Sequence, residues 1–118
     1  MIVKDAEQNV ERALSSAKKI CSGMIVVDTG SSDNTARLCR KLGAEVHFFQ
    51  WTGSFSEARN YSLSLMRTDW ILALDADEEI DPDSFRENIA LLENEKTGGI
   101  SCEIENIMQD SRETTIYR

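Results

Sequence analysis

The chain has 118 residues, of which 41% are hydrophobic and 29% charged, with 6 Gly and 1 Pro. This excludes disordered, collagen-like and low-complexity chains and predicts one domain over residues 1–118 with a single core. The 21 acids outnumber 13 Lys and Arg and leave a net charge of -8, which argues against nucleic acid or an anionic membrane as partner and admits a small polyphosphate only with a divalent cation between it and the acids.

Residues 1–3 read as a first strand, and Val10, Ala13, Leu14 and Ala17 recur at helical spacing within an expected helix over residues 7–19. Residues 24–27 (Met-Ile-Val-Val) form a second strand. The turn Asp28-Thr-Gly-Ser-Ser-Asp-Asn34 leads into a helix over 35–42 that Gly43 terminates. A third strand follows at 45–49, a loop at 50–55, and a helix at 56–66 that carries Ala58, Tyr61, Leu63 and Leu65 toward the sheet or its flank. Residues 70–74 (Trp-Ile-Leu-Ala-Leu) are almost wholly apolar, as a strand covered on both faces requires. Asp81-Pro82 is a strong helix start, with the helix expected to reach about residue 94. Alternation at Ile100, Cys102 and Ile104, then residues 114–117, predicts two further antiparallel strands.

Strand-helix alternation of this kind defines an α/β fold with a mainly parallel sheet. The first strand starts at residue 1 and the last runs into residue 118, so the chain is expected to be part of a longer protein. No apolar run approaches the roughly 18–20 residues of a membrane span, and no basic segment precedes an apolar one at the N-terminus, so the expected compartment is the cytosol. Cys21, Cys39 and Cys102 form no CxxC pair, so neither a disulfide framework nor a four-sulfur zinc site is expected.

The sharpest feature is Asp75-Ala-Asp77, directly after the apolar run. In open parallel sheets ligands collect beyond the carboxyl ends of strands. Residues i and i+2 of an extended chain lie about 6.6 Å apart on one side, so both carboxylates can reach one hard cation, Mg²⁺ or Mn²⁺, with water and phosphate completing its shell. Glu78, Glu79 and Asp83 read as a solvated turn and helix cap. An EF-hand is rejected, because counting from Asp75 puts Ile80 where that loop needs Gly and Arg86 where it needs Glu. Asp28 stands at another strand tip, where it can accept from a base or ribose, with Gly30 allowing the tight turn. Arg59, in the first turns of a helix, suits a diphosphate through its fork of donors, with a surface salt bridge as the other reading. Trp51 and Phe55 read as packing, with a sugar platform as the other reading, and His47 as no ligand.

In this order the motifs resemble the family-two glycosyltransferases of the GT-A fold. The likeness is to a bacterial branch, often joined to tetratricopeptide repeats, that begins Met-Ile-Val-Lys-Asn and carries Asp-Thr-Gly-Ser, Phe-Ser-x-Ala-Arg-Asn and Leu-Asp-Ala-Asp-Glu. Here they stand as Met1-Ile-Val-Lys-Asp5, Asp28-Thr-Gly-Ser31, Phe55-Ser-Glu-Ala-Arg-Asn60 and Leu74-Asp-Ala-Asp-Glu78. The resemblance implies a three-layer α/β/α, Rossmann-like nucleotide-diphospho-sugar transferase domain. It implies that Val3 touches the nucleotide through its backbone, Asp28 holds the base, Arg59 lies near the diphosphate, Asp75 meets the ribose or metal shell, and Asp77 ligates Mn²⁺ or Mg²⁺. It further implies a UDP-sugar donor and transfer to an acceptor hydroxyl with inversion, and it admits a homodimer. Asp5 replaces the family's usual Asn, and Thr29 replaces a second Asp common in wider relatives. The family's general base and most acceptor contacts come downstream of the Asp-x-Asp strand, so no catalytic base is assigned. The competing readings are a non-catalytic nucleotide-binding or assembly module and a haloacid-dehalogenase-like phosphotransferase with Asp75 as nucleophile.

Overall fold

The computed structural model describes residues 1–107 and 112–116. The chain divides into two compact units, Met1–Glu87 and Asn88–Arg118, each with its own sheet.

In the first unit β1 (Ile2–Val3), β2 (Ile25–Asp28) and β3 (Glu45–Phe48) form a parallel sheet in the order β1-β2-β3. Val3 is aligned with Asp28, and Asp28 with Phe48, so the strand ends lie in one row. Between them run α1 (Val10–Ala17) and α2 (Thr35–Lys41). Alternation along the strands separates two faces. Val3 and Val26 point to one side and pack with Val10 and Leu14 of α1, Cys39 of α2 and Ala44 as the core. Val27, also fully buried, points to the other side. There α3 (Phe55–Ser64) packs against β1 and β2, and its Tyr61 ring lies 5.3 Å from Phe49. Helices on both faces of a parallel sheet make the three-layer α/β/α arrangement expected from the sequence.

The helix ends follow their local chemistry. Gly43 adopts φ 95°, its amide donates to the Arg40 carbonyl, and Lys18 Nζ donates to the Leu42 carbonyl. At α4 (Pro82–Glu87), Oδ1 of Asp81 accepts from the Asp83 amide, as a cap should. Cys39 is fully buried, and desolvation, followed by the nearby Asp28 charge, pushes its thiol up to about 11. It is a packing residue.

Three expectations are corrected. Residues 70–74 carry no strand in the described structure. Ile71 is 42% exposed, and exposure alternates along the segment. A strand requires main-chain partners, and β1 at the sheet edge is only 2 residues long, too short to ladder a five-residue run. Leu63 is 45% exposed, because α3 turns its Ala58-Ser62 stripe inward and position 63 falls well off that stripe. α4 ends at Glu87 and buries no residue, and a helix that short, with no packed face, is not extended by spacing alone.

The second unit holds a 3-10 turn (Ile89–Leu91) and an antiparallel hairpin of β4 (Glu103–Ile107) and β5 (Arg112–Ile116), in which Glu103 pairs with Ile116 and Ile107 with Arg112. Residue 117 of the expected last strand lies outside the described residues. Among the described residues no helix is long and apolar enough to cross a membrane.

Removing core volume should cost more than trimming the off-stripe helix residue. Leu14→Ala is expected to lower unfolding free energy by about 2–5 kcal/mol and Leu63→Ala by less than about 0.5 kcal/mol. Urea titration followed by circular dichroism separates the two.

Candidate functional site

A cavity of about 300 Å³ opens beside the carboxyl end of β1, lined by Ile2, Val3, Lys4, Thr29, Trp51, Phe55, Arg59 and Asp75. Three of the five expected site residues, Val3, Arg59 and Asp75, meet here from β1, α3 and the segment after α3. The Val3 side chain is buried in the core and its carbonyl accepts from the amide and hydroxyl of Thr29. Val3 nonetheless lines the cavity. Arg59 Nη2 lies 3.5 Å from Asp75 Oδ1, with both side chains about half exposed (49% and 56%). Such a pair is worth about 0–1 kcal/mol and is readily exchanged for a better anion. With Lys4 and Arg59 against Asp75, the lining is locally cationic within a chain of net charge -8.

The other two expected residues stand apart. Asp28 is buried, and its Oδ1 accepts from the amides of Gly30 (2.8 Å) and Ser31 (2.7 Å). It thereby fixes the turn at Gly30, whose φ of 111° suits glycine. Asp28 lines a second cavity of about 210 Å³ with Arg40 and His47. Asp77 is exposed and lines neither cavity.

The acidic segment is anchored by its own side chains. The Asp75 amide donates to Glu78 Oε2 (2.9 Å), and the Glu78 amide returns a bond to the Asp75 carbonyl (3.1 Å). Glu79 pairs with Arg12 at 3.3 Å, the Ile80 amide donates to Ser16 Oγ at 3.1 Å, and Ala76 packs on the core. Glu78 and Glu79 thus hold the turn instead of merely solvating it. Among the described residues no three His, Cys, Asp or Glu side chains gather into a protein cage for a metal. Of the two acids expected to hold a cation, Asp75 lines the cavity and pairs with Arg59, whereas Asp77 does not line it.

Sequence reasoning missed a clasp between the loops that follow β1 and β2. Asp5 adopts φ 48°, a conformation Asp and Asn tolerate better than most residues. Its amide donates to Ser31 Oγ (2.9 Å) and its Oδ1 accepts from the Ser32 amide (2.7 Å). The Ala6 amide donates to Thr35 Oγ1, the Glu7 amide to Asp33 Oδ2, and the Asn34 amide to Glu7 Oε2. The signal was available in the string of Ser, Asp, Asn and Thr over residues 31–35, whose side chains bond to backbone in turns.

The arrangement is that of a GT-A α/β domain. The profile of glycosyl transferase family 2 matches residues 1–118, and the chain belongs to that family. It is 42% identical over 80 residues to a TPR repeat-containing protein of Synechococcus elongatus, covering 68% of this chain and 20% of that protein. An uncharacterized glycosyltransferase of Rickettsia conorii is 40% identical over 80 residues, covering 68% of this chain and 28% of its own length. The crystal structure of S. aureus TarS 1-349 superposes with a TM-score of 0.68 at 22% identity, covering 78% of this chain and 30% of that one; this likeness concerns the fold. The aligned part is thus less than a third of the length of these relatives. Family membership replaces the haloacid-dehalogenase alternative.

The clasp should be sensitive to acid. The Ser32 amide foremost holds the Asp5 carboxyl below its ordinary 3.8, and the Thr35 hydroxyl foremost does the same for Asp33. Carboxyls with folded values below the unfolded one contribute stability that is fully present above pH 3.8 and lost as pH falls through the lowered folded values. Thermal melts are expected to drop over that window, and Asp33→Asn should flatten the drop.

Proposed function

We propose that the chain is the donor-binding part of a glycosyltransferase that moves a sugar from a UDP-sugar to an acceptor hydroxyl, with inversion and with Mn²⁺ or Mg²⁺. What carries this reading is the convergence of Val3, Arg59 and Asp75, from three separate segments, on one cationic cavity at a strand end. Such strand-end crevices are where open α/β sheets take ligands.

The residues divide the work by chemistry. The main chain at Val3 meets the nucleoside. The Arg59 guanidinium offers forked donors to the diphosphate, and in doing so leaves Asp75, whose carboxylate turns to the ribose hydroxyls or the cation. Asp77, with Asp75 beside it, holds the cation. Asp28 has one oxygen committed to its turn and lines the other cavity, so base recognition is not assigned to it. A divalent ion held there would supply charge neutralisation for a departing nucleoside diphosphate. Inversion further requires a carboxylate to deprotonate the acceptor, and none of these residues is given that role.

Calorimetric titration with UDP, with and without Mn²⁺, tests the assignment. Wild-type chain should bind UDP more tightly with Mn²⁺, and Asp77→Ala should abolish the gain. Arg59→Gln is expected to weaken UDP binding by about 1.5–3 kcal/mol, the worth of a charge-assisted hydrogen bond. The same change should strengthen binding of Mn²⁺ alone, because Asp75 loses its competing cation. No UDP binding under either condition would leave the non-catalytic assembly module as the better reading.

A further inference from the structure

We propose that the Trp51 and Phe55 rings form the wall on which the nucleobase stacks, and so make the cavity selective for a nucleoside diphosphate over a bare diphosphate. This rests on the donor-binding reading of the same cavity and extends it to two residues that the sequence assigned to packing.

The packing work around α3 falls to other rings: Tyr61 closes on Phe49, while Phe55 is 75% exposed. Trp51 and Phe55 meet edge to face, with centroids 4.9 Å apart and planes at 70°, and both line the cavity that holds Arg59. Their placement is built into five residues. Gly53 takes φ 87°, a conformation side chains disfavour. Ser54 Oγ accepts from the Glu57 amide (3.3 Å), and Glu57 Oε2 accepts from Thr52 Oγ1 (2.7 Å). This is half of a capping box, extended by a second clamp one residue before Gly53. A loop fixed in this way orders an exposed ring before any ligand arrives, which lowers the entropy cost of using it.

The lining is divided by chemistry. Lys4 and Arg59 suit the anionic part of a ligand, but they would serve inorganic pyrophosphate equally well. A flat, uncharged, aromatic group is what the ring pair can recognise, through stacking and edge-to-face contact.

The test compares two probes, UDP and inorganic pyrophosphate, each titrated calorimetrically in the presence of Mg²⁺. Phe55→Leu and Trp51→Leu should each weaken UDP binding about five- to a hundredfold, the range for loss of one stacked base, and leave pyrophosphate binding unchanged. Far-UV circular dichroism and a thermal melt establish that each variant is folded. Gly53→Ala leaves both rings in place and strains the loop that aims them, so it should show the same selective loss. The wall is overturned if folded variants bind UDP as wild type does, or lose UDP and pyrophosphate in parallel. Wild-type binding of pyrophosphate without any preference for UDP also overturns it while sparing the anion site. Binding of neither probe removes the donor-binding reading and the wall with it.

Discussion

Parallel pairing of three short strands in sequence order is the constraint on which the rest of the first unit depends. Because Val3, Asp28 and Phe48 share one row, the loops after β1, β2 and β3 all leave the sheet at the same level. Each return from strand end to strand start needs a helix, and right-handed crossovers place α1 and α2 together on one face. The chain then passes to the opposite face with α3, which delivers Arg59 to the end of β1. Residues separated by more than fifty positions in sequence, such as Lys4 and Arg59, thereby line one cavity. No individual contact there is strong; the sheet register makes them neighbours.

Within this frame, charge is sorted locally against the global excess. The chain as a whole repels anions, yet the cavity draws two of its 13 Lys and Arg residues into one lining. Meanwhile the acids that follow are partly consumed by their own backbone and by helix residues: Glu78 by the Asp75 amide, Glu79 by Arg12, Asp83 by Arg86. Long-range repulsion between exposed charges is screened over about 8–10 Å at ordinary ionic strength, so the nearest cations decide what the cavity admits.

The helices and strands up to residue 66 were legible because each has a local cause: the stripe Val10, Ala13, Leu14 and Ala17, the glycine at 43, and the β-branched pair at the centre of β2. Two antiparallel strands were expected in the second unit, but of the alternating residues Ile100, Cys102 and Ile104 only Ile104 falls within β4, because alternation marks a strand without fixing where its partner begins to pair. The strand expected over 70–74 was not realised, since an apolar run gives affinity for burial without supplying a main-chain partner. Leu63 and the far half of the helix expected to reach 94 failed for a related reason: apolar spacing proposes a face, and only a surface to pack on fixes it. At the site, Val3, Arg59 and Asp75 line one cavity, while Asp77 lines none of those described. Asp28 was found bracing a turn, because a short acid beside glycine is as good a partner for backbone amides as for a ligand. The clasp at Asp5, Glu7 and Asp33 and the cavity-lining place of Trp51 and Phe55 depend on loops meeting in space, which periodicity does not encode.

The segment that carries Asp75 and Asp77 is fastened to α1 through Ser16 and Arg12 and is not laddered to the sheet. The Ser16 hydroxyl also donates to the Ala13 carbonyl, so one buried side chain couples the helix backbone to that segment. The acidic segment therefore takes its anchorage, at Glu79 and Ile80, from a helix that contributes nothing to the cavity lining, so its position is set by a different surface from the one that shapes the cavity.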